Sequence, residues 1–285
     1  MLAGDDGKNI NGPSLIRVPE WLPNPLGKYY LYFAHHGGKY IRLAYSDNLA
    51  GPWKVYEPGT LKLEQAPDGQ KHIASPDVLV DNERKELRMY FHCPAKSVNA
   101  QMTYLARSKD GIHFAADGIP LGLSYFRVFQ WGEYWYAMAK PGTLYRSKDG
   151  ATTFEIGPNP FDGVPGCNDG RTRIRHVALD VRGDTMDVYW TSIGDKPESI
   201  LRATIDLKPD WTQWRVSAPE LVLKPEQIYE GFDLPELPSK EGKTMERVRG
   251  VRDPGIFKED GRTYLLYSVA GESGIGIAEL IKREP

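Results

Sequence analysis

What most constrains this chain is a unit that recurs along it. An aromatic strand at 28–33 is followed by 40–47, which ends in Ser46-Asp47, and then by Gly51-Pro52-Trp53. The same succession returns as 87–91, then 102–111 closing on Ser108-Lys109-Asp110-Gly111, then Phe114. It returns again as 133–137, 144–150 with Ser147-Lys148-Asp149-Gly150, and Phe154, and once more as 186–190, 200–204, Trp211 and Trp214. Residues 263–268 and 274–278 begin a fifth round. Self-similarity of this kind marks a repeat architecture, in which no unit can bury its own apolar face.

Each round reads as a strand, a turn, an aromatic strand, a loop, a third strand and an aromatic-terminated fourth, the four-stranded antiparallel blade of a propeller. The expected fold is therefore all-β, a five-bladed β-propeller occupying residues 1–285 as a single domain. A sandwich or a solenoid would also alternate strands, but neither accounts for the repeated tail. Asp-Gly supplies the positive φ that a tight reversal needs. The 16 Tyr and 7 Trp favour strands, and the 29 Gly and 22 Pro supply turns. Spacing between rounds is widest around 215–250, which places an insertion in a rim loop.

A formal net charge of -2 argues against a nucleic-acid partner, which usually demands a basic excess. No apolar run approaches the roughly 20 residues of a membrane span. The start, Met1-Leu2-Ala3-Gly4-Asp5-Asp6, lacks the apolar core of a signal peptide. A signal trimmed away would leave such a start, and a secreted or periplasmic setting is favoured over the cytoplasm. Cys93 and Cys167 fit no metal or redox motif and are either buried thiols or one disulfide. The oligomeric state is left open.

In a propeller the first strand of each blade lines the channel, and its N-terminal residues crowd one mouth. Counting back from the aromatic strands places Asp77, Arg127, His176 and Asp253 there, with Asn11 or Ser14 in the first blade. A charge that begins a buried strand must be paired or face a wet cavity. Pairing, with Arg252 bridging Asp253, is one such arrangement.

At these residues the chain resembles the five-bladed glycoside hydrolases, family 43 first, with families 32, 68, 117 and 130 as relatives. The resemblance is carried by Ser75-Pro76-Asp77-Val78, by Arg252-Asp253-Pro254-Gly255-Ile256-Phe257 with Asp260-Gly261 and 264–268, and by Ala44-Tyr45-Ser46 before Gly51-Pro52-Trp53. It implies a general base from a first-blade Asp, a second-blade Asp that tunes pKa, and a third-blade Glu as acid. Asp77 matches the second of these. The first blade instead has Asn11, and the third has Ser124-Tyr125-Phe126-Arg127 with no Glu. Family 117 propellers use a histidine as acid, and His176 is suited to that role.

The expected function is thus a glycosidase acting on an oligosaccharide or polysaccharide. One group protonates the leaving oxygen, and another activates water or attacks the anomeric carbon. The assignment is Asp253 as base, His176 or a loop glutamate (Glu230 or Glu246) as acid, and Asp77 setting orientation and charge. Arg127, Arg175 and Arg252, with Tyr125, His36 and Asn11, are the expected substrate-binding residues. Guanidinium forks suit carboxylate or sulfate groups, so an acidic or modified sugar is favoured. No cofactor is required; a structural calcium or other cation at the axis stays open. A non-hydrolytic sugar-binding propeller, or a lyase or phosphorylase on the same scaffold, is the alternative.

Overall fold

The structure is a computed structural model that describes Leu2 and residues 7–281. Residue 1 and residues 3–6, read above for a signal, lie outside the described residues. Five antiparallel sheets follow one another along the chain. Blade 1 holds β1 (Asn11–Arg17), β2 (Tyr29–Ala34), β3 (Tyr40–Ser46) and β4 (Lys54–Lys62). Blade 2 holds β5 (Ala74–Asp81), β6 (Glu86–Pro94), β7 (Gln101–Ser108), β8 (Ala115–Ala116) and β9 (Gly122–Leu123), the last also pairing with β7. Blade 3 holds β10 (Arg127–Trp131), β11 (Tyr134–Ala139), β12 (Thr143–Ser147) and β13 (Glu155–Ile156). Blade 4 holds β14 (Arg173–Arg182), β15 (Thr185–Ile193), β16 (Ile200–Asp206) and β17 (Glu220–Leu223). Blade 5, among the described residues, holds three strands: β18 (Arg252–Glu259), β19 (Arg262–Val269) and β20 (Gly274–Glu279).

The core is five apolar clusters, one at each seam between neighbouring blades, including the seam where blade 5 meets blade 1. Each blade buries its face on the next, as the sequence repeat requires. Fully burying an aromatic such as Trp190 or Tyr32 contributes roughly 1.5–3 kcal/mol before its entropy cost.

The repeated tail has a specific job at these seams. Tyr32 on β2 donates to the carbonyl of Gly111 (2.8 Å), and Tyr90 on β6 donates to the carbonyl of Gly150 (2.6 Å). The aromatic strand of one blade is thus bonded to the Asp-Gly turn of the next. Gly111 has φ +74°, and a Cβ there would meet Tyr30 Cε2 at 3.0 Å. The turn is held from within, since Ser108 Oγ accepts from the Gly111 amide and Asp110 Oδ1 from those of Ile112 and His113. Cys93 and Cys167 are both free, buried thiols. No helix of the described residues is long and apolar enough to cross a membrane.

Candidate active site at the axial mouth

Four innermost strands open with a bulge, at Asn11/Ser14, Ala74/Asp77, Ile174/Val177 and Arg252/Gly255. These bulges fix which residues correspond, and they correct the simple count. Gly12, Ser75, Tyr125 and Asp253 share one place, each with positive φ (60°, 49°, 69° and 53°). Asp77 lies two residues further in, matching Ser14 and Arg127. Left-handed backbone at three non-glycine residues is strain of the kind that gathers at functional sites, on the order of 1–3 kcal/mol each.

The deeper position joins the blades. Ser14 Oγ accepts from the Val78 amide of blade 2 (2.9 Å), and Asp77 Oδ2 accepts from the Val128 amide of blade 3 (2.9 Å). Arg127 donates to the carbonyls of Val177 in blade 4 (3.1 Å) and Pro76 in blade 2 (2.9 Å). In blade 5 this place is Gly255, where an added Cβ would meet the Pro13 carbonyl oxygen at 2.6 Å. Arg127, expected to bind substrate, is therefore a latch between blades. Asp77 is partly open to the channel; burial pushes its carboxyl up, against the pull of Arg127 and the Val128 amide.

The outer position builds the mouth. Asp253 is buried, accepts from His176 Nδ1 through Oδ1, and receives Ser268 Oγ at Oδ2 (3.3 Å). Burial alone would raise its carboxyl, but His176, then Arg252 and Arg175, hold it well below the usual carboxylate range. Burial pushes His176 down to about 4, outweighing Asp253, so the pair is a neutral imidazole on a carboxylate at neutral pH. With Nδ1–H donated to Asp253, Nε2 carries the lone pair and makes no hydrogen bond to any described residue. Tyr125 packs against the His176 ring (centroids 3.9 Å apart, planes tilted by 37°) and against the His92 ring (4.0 Å, 42°).

Around this pair runs a cluster that sequence reading missed in part. Arg252 does not bridge Asp253; it joins Glu198 (2.5 Å) and Glu272 (3.1 Å) and donates to Thr244. Glu272 also accepts from Asn9 and from Asn11 (3.0 Å), with His36 Nδ1 3.3 Å away. Glu198 accepts from Thr191 and Ser239 and pairs with Arg175 Nε at 2.9 Å. Asp253, His176, Tyr125, Arg175, Arg252, His36 and Asn11 thus gather in one place. Arg175, however, pairs with Glu198, and Arg252 with Glu198 and Glu272, so neither is a free fork for a ligand.

Two expected residues lie elsewhere. Glu230 caps a short 3₁₀ turn, accepting from the amides of Glu226 and Gln227, while its other oxygen accepts from Tyr267 OH (2.8 Å). Glu230→Gln is expected to lower stability by about 1–3 kcal/mol in urea unfolding, since an amide presents donors to donors, and to leave turnover unchanged. Glu246 is exposed and lines a cavity of about 360 Å³ between the insertion and the Glu198 and Arg252 side of the cluster. Neither joins the Asp253–His176 pair.

The mouth opens on a cavity of about 350 Å³ lined by His36, Tyr125, Lys140, Arg173, Arg175 and Glu241, among others. It draws on blades 1 to 4 and the insertion. An apolar groove of about 270 Å³ at the seam of blades 5 and 1 is lined by no titratable group and is not the site of this chemistry. Among the described residues no group of three or more His, Cys, Asp or Glu is placed to hold a metal ion.

No family model matches the chain. It is 41% identical over 303 residues to the uncharacterized protein R118 of Acanthamoeba polyphaga mimivirus, covering 98% of this chain and 85% of that one. Among solved structures it is similar to a thermostable family-43 glycoside hydrolase, at 16% identity and a TM-score of 0.65, covering 97% of this chain and 91% of that one. RS223-β-xylosidase gives 13% and 0.64, covering 96% and 93%. An N-acetylgalactosamine deacetylase from F. plautii, in complex with blood group B trisaccharide, gives 13% and 0.61, covering 92% and 80%. At these identities the likeness establishes the five-bladed scaffold.

Proposed function

The chain belongs to the family of the mimivirus protein R118, and from that premise we propose that it is a glycosidase cutting an oligosaccharide or polysaccharide at the axial mouth. The observation that carries this reading is the buried Asp253–His176 pair, packed against the Tyr125 ring that lines the mouth cavity, on a scaffold shared with glycoside hydrolases. The roles differ from those the sequence suggested. Both Asp253 oxygens are engaged inside the protein, so Asp253 acts as a positioning residue. His176, neutral above about pH 4, is suited to take a proton and not to give one.

In this mechanism His176 Nε2 takes a proton from the water that attacks the anomeric carbon. The Asp253 carboxylate holds the imidazole in the required tautomer and stabilises the imidazolium that forms. The leaving oxygen takes its proton from Asp77, whose carboxyl burial pushes up and so keeps protonated to higher pH. Water enters between base and acid, the arrangement that inverts the anomeric centre.

The pH dependence follows in sign. kcat/KM is expected to rise as pH climbs through about 4, where free His176 loses its proton, and to fall as Asp77 loses its own. Reducing-sugar release from neutral and uronate-bearing oligosaccharides, followed from about pH 3 to about pH 8, measures both limbs. A profile flat through pH 4 rejects His176 as base, and no release from any oligosaccharide rejects the glycosidase reading.

A further inference from the structure

We infer that Lys140 and Arg173 form a carboxylate subsite for an acidic sugar at the mouth, and that Glu241 fills it when no such sugar is bound. The inference rests on reading the mouth as a sugar site. Glu241 lies on the long insertion before blade 5, and its carboxylate is divided between two blades. Oε1 accepts from Lys140 Nζ of blade 3 at 2.9 Å, and Oε2 accepts from Arg173 of blade 4. That two-point grip on one planar anion is the geometry by which proteins recognise a carboxylate.

Three observations separate this from an ordinary surface ion pair. Lys140 is largely buried, at 17% exposure, and an ammonium so placed needs an anion beside it. Its Nζ stands 5.8 Å from the Tyr125 ring centroid, and that ring packs against His176. The anion is therefore one aromatic side chain away from the proposed base, a separation that suits a carboxylate and an anomeric carbon on the same sugar ring. The other arginines of the cluster are committed inward: Arg175 and Arg252 to Glu198 and Glu272, Arg127 to backbone carbonyls. Lys140 and Arg173 differ from them in that their shared partner is exchangeable.

Glu241 is built to leave. Its side chain is 58% exposed, whereas the backbone on either side is pinned by buried Arg175, which donates to the carbonyls of Lys240 and Gly242 and to Ser239 Oγ. Rotation of Glu241 into water thus empties the subsite without moving the insertion. An incoming uronate replaces one carboxylate by another, and Glu241 competes with it.

Calorimetric titration of the full chain with D-glucuronate, D-galacturonate and, for comparison, D-glucose and D-galactose tests this without any need for turnover. Glu241→Ala is expected to tighten uronate binding about five- to tenfold, the worth of releasing a partly exposed ion pair, and to leave the neutral sugars unchanged. Lys140→Met is expected to abolish the preference for uronates, and thermal unfolding of both variants shows that the fold is kept. Unchanged or weaker uronate binding in Glu241→Ala, or a preference that survives Lys140→Met, overturns the inference. Tighter binding of glucose 6-sulfate than of glucuronate overturns the carboxylate assignment. Uronate binding with no reducing-sugar release from any oligosaccharide leaves the subsite standing and rejects the glycosidase, whereas release from neutral oligosaccharides with no uronate preference in binding does the reverse.

Discussion

His176→Ala is expected to lower kcat/KM by about a thousandfold or more while leaving the fold intact, since a positioned general base contributes roughly 10²–10⁴. The ring makes few bonds whose loss would unfold the protein: one to Asp253 and a packing contact with Tyr125. Asp253→Asn is expected to fall by a similar factor for a different reason. An amide facing Nδ1 no longer demands a proton there, so the imidazole can carry it on Nε2, where the lone pair is needed. The two variants are told apart by added imidazole, which is expected to restore part of the activity of His176→Ala and none of Asp253→Asn. Full activity in His176→Ala would remove the proposed mechanism.

The second large effect is on stability. Arg252→Met is expected to destabilise the chain by about 3–5 kcal/mol, because it leaves two buried carboxylates without their shared cation. Glu198 and Glu272 are each almost wholly buried, and Arg252 touches both. The sign of the pH dependence identifies the cause. Orphaned carboxylates take up protons on acidification, so the difference from wild type shrinks as pH falls from about 7 to about 4. Arg17→Met, which breaks the more exposed pair with Glu259, is expected to cost no more than about 1 kcal/mol. Urea unfolding at the two pH values measures all of these.

The propeller was legible because its two sequence signals are two ends of one contact. The aromatic strand and the Asp-Gly turn meet across a seam, as Tyr32 does with Gly111 and Tyr90 with Gly150. Neither serves its purpose alone, so both recur together along the chain. The site was legible in its membership and not in its register. Counting residues back along a strand assumes an unbroken pleat, and the bulge at the start of four of the five innermost strands breaks it. That is why Asp77 and Asp253 looked equivalent. The prolines were the available marker: Pro76 and Pro254 align, which sets Asp77 after the proline and Asp253 before it.

Glu198 and Glu272 escaped because they lie in loops that share no pattern from blade to blade. Glu272 closely follows an aromatic strand, at the turn where blade 1 carries His36, and a carboxylate there was the one signal on offer. The arginines misled for the same reason. Arg175 and Arg252 look like open forks until their partners, more than ten residues away in sequence, are placed beside them.

The joining of the last blade to the first has a consequence for how this protein comes to life on the ribosome. Ser14, Asp77 and Arg127 let each blade lock onto its successor as synthesis proceeds, so most of the ring can form in the order it is made. The polar cluster cannot. Asn9, Asn11 and His36 emerge first, and Arg252 and Glu272 emerge last, yet they form one hydrogen-bonded set. His176 has Tyr125 beside it but lacks its carboxylate until Asp253 arrives 77 residues later. A nascent chain therefore has blades before it has a finished site, and the onset of the proposed hydrolysis would mark the moment the circle closes.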